Sequence, residues 1–312
     1  MGNYAIVGGA GFIGSHFVDE LAMRNNNILV IDNYCSGSQE RVENHLGKPY
    51  FQIANIDAED TASLSEAFKD VETVIHLASN PDIAKAAVDP RIDFTQGTSL
   101  TESVMEASRI ARVKKVLYAS GSGVYKANGL DPIPENSQLQ PISTYGASKL
   151  AGEALLSSYN FMFGIKSIAF RFANVVGPKQ THGVGYDFMR KLKNNKESLV
   201  VLGDGSQTKS YIHVTDVVSA VLLAENKIGS EFDVFNVSTP DYISVAEIAE
   251  LAIFVSGLDR DKINIEFGSS DRGWKADVPK IFLDSRKIRS LGWESKMNSR
   301  EALQSSLITL TQ

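Results

Sequence analysis

Short, nearly unbroken apolar runs punctuate the chain. They fall at 4–7 (YAIV), 28–31 (ILVI), 50–54 (YFQIA), 73–78 (TVIHLA) and 115–119 (KVLYA), then at 167–173 (SIAFRFA) and 235–237 (FNV). Each is too short for a helix, and its apolar residues sit at consecutive rather than alternate positions. That is the pattern of strands covered on both faces. Helix-like segments lie between them, over 12–24, 60–69, 97–111, 146–163 and 215–225. Strands separated by helices predict βαβ units and an α/β fold built on a doubly wound parallel sheet.

After about residue 175 the alternation loosens. NVVGPKQTHGVG (174–185) is rich in loop residues, with Pro178 as a breaker. A helix follows over 186–195, and then a loop, GDGSQTKS, over 203–210. Residues 211–238 again look like material of the main sheet. The expected organisation is therefore a main domain of 1–175 plus about 211–240. A smaller mixed α/β domain would comprise about 176–210 plus 241–312. No internal repeat or low-complexity tract appears.

Composition narrows the functional classes. The 312 residues are 43% hydrophobic and 22% charged, an ordinary globular balance, with a net charge of −6. A nucleic-acid binder would show a basic excess, and the local cluster RKLKNNK (190–196) reads as a solvated helix face. The single cysteine, Cys35, permits no intramolecular disulfide and fits a reducing cytoplasm. His16, His45, His76, His182 and His213 do not pair at helical ligand spacing, so no metal site is expected. The N-terminal MGNYAIVGGAGFIG reads as a first strand rather than a leader, and no apolar run approaches the length of a membrane span.

VGGAGFIG follows the first strand and opens a helix. Gly9, Gly11 and Gly14 satisfy G-x-G-x-x-G, and Gly8 adds a second register. Glycines permit a tight turn and close approach of the backbone to a pyrophosphate, and the helix N-terminus offers free N–H groups and a positive dipole end. Asp32 ends the second strand, 18 residues after Gly14. A carboxylate there accepts from the adenosine ribose and repels a 2′-phosphate, favouring NAD over NADP. Strand, glycines, helix, strand and acid in this order make the dinucleotide reading far more specific than the glycines alone. Asp57 either reaches the adenine side or serves as a turn or N-cap aspartate.

Tyr145 and Lys149 in STYGASKLAGEALLSSY lie four residues apart, on one face of a helix. An ammonium beside a phenol favours phenolate, and a cationic nicotinamide ring would favour it further, so the tyrosine can serve as acid or base near neutral pH. Lys149 can also hold the nicotinamide ribose. Such a pair is commonplace on solvated helix faces. It acquires chemical meaning behind a dinucleotide loop.

The motifs GGAGFIG, VIDN, HLAS, SGSGVYK, YGASK, RFANVVGP, GDGSQTKSYIHVTDV and DRGWKADVP, in this order, span nearly the whole chain. In them the sequence resembles the extended short-chain dehydrogenase/reductase family, within the nucleotide-sugar epimerase/dehydratase group and nearest to UDP-glucose 4-epimerase-like enzymes. The resemblance implies a Rossmann-type NAD domain, a C-terminal nucleotide-sugar domain and a homodimer packed through the 97–111 and 146–163 helices. It implies NAD contacts from Gly8, Gly11, Phe12, Ile13, Gly14, Asp32, Asn33, Ile56, Asp57, Leu77 and Ala78, joined by Tyr145 and Lys149. It further implies a UDP-sugar substrate held by Asn174, Lys209 and Arg272. Ile281 stands where relatives set pocket size.

The departures are as informative. Relatives carry a catalytic Ser or Thr three residues before the Val of VYG, and Gly121 stands there in this chain, between Ser120 and Ser122. Three substitutes compete: Ser122 from the next position, a water in the space left by the missing side chain, or direct proton passage between sugar and Tyr145. Ser122 ranks first, narrowly, since its one-place shift requires a turn or bulge. Lys126 replaces the glycine after the tyrosine, Gln96-Gly97 replaces a frequent Asn-Asn, and Lys209 replaces an arginine, keeping charge but losing the bidentate fork. GSG also lacks the acid pair typical of dehydratases. The expected activity is UDP-hexose 4-epimerisation with bound NAD through a 4-keto sugar. Another NAD-dependent conversion of a nucleotide sugar, by decarboxylation or 4-keto reduction, stays open. So does a non-catalytic NAD-binding role, which Gly121 favours and the Tyr145/Lys149 pair opposes.

Overall fold

β1 (Asn3–Val7) and β2 (Asn27–Ile31) run parallel, with Val7 opposite Ile31, and α1 (Phe12–Met23) crosses between them. In the computed structural model, residues 2–80, 83–126, 129, 131–227, 229, 231–273 and 278–311 are described. Residues 274–277 of the DRGWKADVP motif, Asp277 among them, lie outside the described residues. β3 (Phe51–Ala54) pairs with β2, and α2 (Thr61–Ala67) follows it. The α2 N-terminus is capped by Asp60, whose carboxylate accepts the N–H groups of Ala62 and Ser63. β4 (Thr73–His76) returns to the other side of β1, placing His76 opposite Val7.

The chain then passes α3 (Ile83–Ala86) and a continuous helical stretch. That stretch begins as α4 (Arg91–Asp93), widens into a π-turn over Phe94–Ser99 and continues as α5 (Leu100–Ile110). β5 (Lys115–Gly121) pairs in parallel with β4 and ends in a 3₁₀ turn, Ser122–Val124. α6 (Thr144–Phe163) starts where Ser143 accepts the N–H of Gly146 at 3.0 Å. It stops where Gly164 takes the left-handed conformation (φ 73°) that side chains avoid. β6 (Lys166–Phe172) completes the six strands of a doubly wound order.

β7 (Asn174–Val176), α7 (Val184–Asn194), β8 (Ser198–Val201), β9 (Thr208–Lys209), β10 (Tyr211–His213) and α8 (Val214–Glu225) come next, before β11 (Asp233–Val237) joins the main sheet beside β6. The seven-stranded parallel sheet has the order 11-6-5-4-1-2-3. The expected fold class is therefore observed. Its apolar centre joins Val7, Ile31 and Val116 of the strands to Leu64, Val104, Met105 and Leu156 of the helices. The consecutively apolar strand pattern thus has the expected physical cause, helices covering the sheet.

The chain divides into two units. The first comprises 1–125, 139–171 and 221–235; the second comprises 126–138, 172–220 and 236–312. Residues 126–138 and 211–220, assigned to the main domain from the sequence pattern, belong to the second unit. Its pieces interlock: Asn236 donates to the carbonyls of Ile133 and Asp284 at 2.8 and 3.1 Å. The second unit also holds β12 (Ile243–Ser244), α9 (Val245–Val255), β13 (Asn264–Phe267), β14 (Lys280–Ile281), α10 (Arg286–Arg289) and α11 (Ser299–Thr309). Its own core gathers Phe188, Leu192, Leu199, Ile248, Leu251 and Leu303. Reciprocal capping boxes, Ser244 with Glu247 and Asn298 with Glu301, start α9 and α11.

Candidate active site

The glycine loop is fixed by backbone proximity. A Cβ at position 14 would overlap the Gly8 carbonyl oxygen and lie 2.7 Å from Gly9 Cα, so only glycine lets α1 begin this close to β1. Gly11 forms the α1 N-cap without a side-chain hydrogen bond. The N–H groups of Phe12, Ile13 and Gly14 therefore head the helix with no intrahelical acceptor, as a pyrophosphate site requires. At Gly8 (φ 83°) a Cβ would lie 2.9 Å from the Ala78 nitrogen, and the N–H groups of Leu77 and Ala78 both donate to the Val7 carbonyl. Loop and strand end are thus in direct contact, bringing together Gly8, Leu77 and Ala78.

Asp32 is buried beside this loop. Its two oxygens accept from Tyr34 N–H and Ala10 N–H, each at 2.9 Å. Burial pushes its carboxyl pKa up, and those two hydrogen bonds, helped by Arg41, pull the other way. Asn33 donates to Asp57 at 3.0 Å, and Asp57 also accepts the N–H of Glu59. Asp57 is thus a turn aspartate facing Asn33, while Asp60 holds the N-cap. Bare glycine backbone, free helix-start donors and an oriented carboxylate fit the diphosphate and ribose of NAD.

Tyr145 and Lys149 lie one turn apart on α6. Lys149 is 3% exposed, and its Nζ donates to the Ala119 carbonyl at 2.9 Å. It stands 5.5 Å from the Tyr145 ring centre and 5.1 Å from that of Tyr118. Burial pulls its pKa down from 10.5 to about 8, with Asp93 opposing, so it keeps its charge at neutral pH. Tyr145 keeps partial exposure, but enough protein surrounds the phenol that desolvation pushes it up to about 12. A side-chain hydrogen bond with Ser79 lowers it and the Asp93 charge raises it. The expectation that Lys149 would bring the phenol below its ordinary 10 fails here because desolvation dominates.

Sequence reasoning missed the neighbours that organise this pair. Asp93, 1% exposed, accepts from Asn80 Nδ2 at 2.9 Å and from Thr144 Oγ1 at 2.7 Å, one on each oxygen. Beneath Lys149, buried His76 contacts Thr101 Oγ1 at 3.0 Å, and desolvation pushes its pKa down to about 3, so the imidazole stays neutral.

SGSGVYK is partly strand. Ser120 and Gly121 finish β5, and the Ser120 hydroxyl donates to Glu153 at 2.6 Å. Glu153 accepts two hydrogen bonds from Arg171, at 2.9 and 2.6 Å, and Arg171 also donates to Tyr125. Ser122 opens the 3₁₀ turn, which packs on α6: a Cβ at Gly146 would lie 2.9 Å from the Gly123 carbonyl carbon. A Cβ at Gly121 would meet nothing within 4 Å.

In the second unit, Asn174 donates through Nδ2 to the Ser210 carbonyl at 3.2 Å, bracing β7 against the segment that contains Lys209. Lys209 is central in a small sheet, opposite Ile243 of β12 and buried Ile281 of β14. Arg272 is exposed, and its N–H donates to Ser270 Oγ at 3.1 Å. Among the described residues, no helix is long and apolar enough to cross a membrane.

Glycine loop, oriented acid and a helical Tyr–Lys pair on a doubly wound sheet define a dinucleotide-dependent protein of the short-chain dehydrogenase/reductase type. The chain belongs to the NAD dependent epimerase/dehydratase family, whose model matches residues 4–238, and its cofactor is accordingly NAD. It is 32% identical over 306 residues to a putative UDP-glucose 4-epimerase of Methanocaldococcus jannaschii, covering 96% of this chain and 95% of that one. A solved UDP-galactose 4-epimerase shares 35% identity with a TM-score of 0.88, over 99% of this chain and 98% of that one. The UDP-glucose 4-epimerase of Thermotoga maritima, solved with UDP-glucose, shares 30% identity with a TM-score of 0.89, over the same shares.

Proposed function

We propose that the protein interconverts UDP-glucose and UDP-galactose by inversion at C4. The observation that carries this reading is Tyr145 with the buried Lys149 one turn away, set beside an NAD cradle, in a chain similar over nearly its whole length to UDP-glucose 4-epimerases. Bound NAD supplies a reversible hydride acceptor for the sugar C4. Gly8, Gly11, Phe12, Ile13 and Gly14 hold its diphosphate, Asp32 and Asn33 with Asp57 and Ile56 hold its adenosine, and Leu77 and Ala78 line its path.

Tyr145 takes the proton of the sugar 4-hydroxyl as C4 is oxidised and returns it after the 4-keto sugar has turned its other face. A phenol at about 12 is a reluctant base. It works near neutral pH only with positive charge beside it, which Lys149 and the oxidised cofactor carry. Lys149 also holds the nicotinamide ribose. Lys209 and Arg272 neutralise the UDP diphosphate, Asn174 positions it, and Ser122 lines the sugar side of the pocket. Dehydration is disfavoured: Glu153 is engaged by Arg171 and Ser120, and Asp93 by Asn80 and Thr144. A homodimer would use the outer surfaces of α5 and α6, where Ile110, Phe161 and Met162 are exposed.

The test is proton NMR of the purified protein with a panel of UDP-sugars and no added cofactor. The expected result is interconversion of UDP-glucose and UDP-galactose without net oxidation or reduction, lost in Tyr145→Phe while NAD content persists. Turnover that needs supplied NADH and consumes it stoichiometrically, or loss of a carboxylate as CO₂, would replace epimerisation by one of the other nucleotide-sugar reactions.

A further inference from the structure

A base that accepts a proton from a sugar hydroxyl needs a hydrogen-bond donor to support the developing phenolate. The strand β5 position at which relatives carry that hydroxyl is Gly121, and the space beside it is open. Ser120, one step before, is committed to Glu153 at 2.6 Å. The Ser79 hydroxyl, just beyond the end of β4, is hydrogen-bonded to the Tyr145 side chain.

Its placement is enforced from both sides. Leu77 and Ala78 are tied by their N–H groups to Val7, and Ala78 lies hard against Gly8, so the chain reaches Ser79 from a fixed start. Asn80, the next residue, donates to one oxygen of Asp93 at 2.9 Å, and Thr144, immediately before Tyr145, donates to the other at 2.7 Å. One buried carboxylate thus clasps the residue after Ser79 and the residue before Tyr145. Losing either bond would leave that carboxylate buried and under-satisfied, so the clasp resists opening.

We propose that Ser79 is a catalytic residue of this protein, donating a hydrogen bond to the Tyr145 oxygen and supplying the hydroxyl function that Gly121 lacks. This rests on the epimerase reading given above, in which Tyr145 is the base. The O–H bond of the sugar 4-hydroxyl breaks and its proton joins Tyr145 Oη, as the C4–H bond breaks and gives up a hydride that bound NAD would accept; Ser79 keeps its own proton throughout. On return the phenol gives that proton back. The hydrogen bond is strongest when Tyr145 is phenolate, so it stabilises the charged form. The other groups around the phenol are Asp93, which opposes phenolate, the Lys149 ammonium, which favours it, and the phenol of Tyr118.

The experiment compares Ser79→Ala, Ser79→Thr, Ser122→Ala and Tyr145→Phe holoenzymes by kcat, KM, NAD content and the pH dependence of kcat. Ser79→Ala is expected to lose on the order of 10²-fold in kcat, a general acid–base magnitude, with KM and NAD content little changed. Its rising pH limb should move to higher pH, because a group that lowered the Tyr145 pKa is gone, and Ser79→Thr should restore both. Unchanged kcat and pH limb in Ser79→Ala, with Tyr145→Phe inactive, would overturn the proposal alone. So would a loss confined to Ser122→Ala, or a Ser79→Ala loss that tracks lost NAD. Retained turnover in Tyr145→Phe would instead bring down the epimerase reading itself.

Discussion

Lys149 keeps its ammonium in a nearly dry site, and that has a cost that Lys149→Met should reveal. Burial lowers its pKa from 10.5 to about 8. At 1.36 kcal/mol per pH unit, the charged form costs the native state about 3 kcal/mol. Methionine removes that cost with a similar stem but forfeits the hydrogen bond to the Ala119 carbonyl, worth about 1 kcal/mol. The variant should therefore be more stable by about 2 kcal/mol at pH 7. The sign follows from proton counts. The folded lysine holds its proton less tightly than the unfolded one, so the full penalty applies below about 8 and fades as pH rises towards 10.5. By pH 10 the gain should be close to zero. Tyr145 titrates in both proteins and cancels in the comparison. Urea denaturation of cofactor-free wild type and variant at the two pH values gives the answer, since bound NAD would add its own stabilisation. A variant no more stable at pH 7, or one whose gain persists undiminished at pH 10, refutes the reasoning. Activity should be lost in either case, making Lys149 a site where function is maintained against stability.

Two further outcomes follow from geometry. Gly14→Ala must push the α1 start away from the Gly8 carbonyl, costing about 1–3 kcal/mol as overpacking; thermal denaturation should show the lower midpoint and the purified protein should carry far less NAD. Arg171→Met leaves Glu153, 4% exposed, without its cation, and denaturant titration should show a loss of about 3–5 kcal/mol. Adding Glu153→Leu should recover much of that loss, because the destabilisation comes from the stranded carboxylate.

The sheet was legible because its strands are covered on both faces and so are apolar without interruption, as in ILVI and TVIHLA. The glycine loop and Asp32 were legible because their spacing is set locally by one βαβ unit. The clasp around Asp93 was not, since residues 80, 93 and 144 meet only through tertiary packing and share no sequence period. A faint signal existed for the Arg171–Glu153 pair: an arginine inside the continuous apolar strand SIAFRFA needs a buried partner. Ser120, one place before Gly121, serves this pair, because β5 extends through Gly121 rather than stopping before SGSG. The unit boundaries also escaped the pattern. Ile133 belongs to the second unit and bridges to Leu283, a partner 150 positions away.

The π-turn over Phe94–Ser99 is a change of phase within one continuous helix. An α-helix advances about 100° per residue, and the wider turn absorbs one residue more than an α turn would. Upstream of it Asp93 meets Asn80 and Thr144; downstream, Val104 and Met105 meet the sheet. At its centre Gly97 yields to α6, since a Cβ there would lie 2.6 Å from Ser148 Oγ. A regular helix could satisfy only one of these two headings at a time. The widened turn lets the downstream half answer to core packing while the upstream half is aimed at Asn80 and Thr144, so the two demands can drift in sequence without being traded against each other.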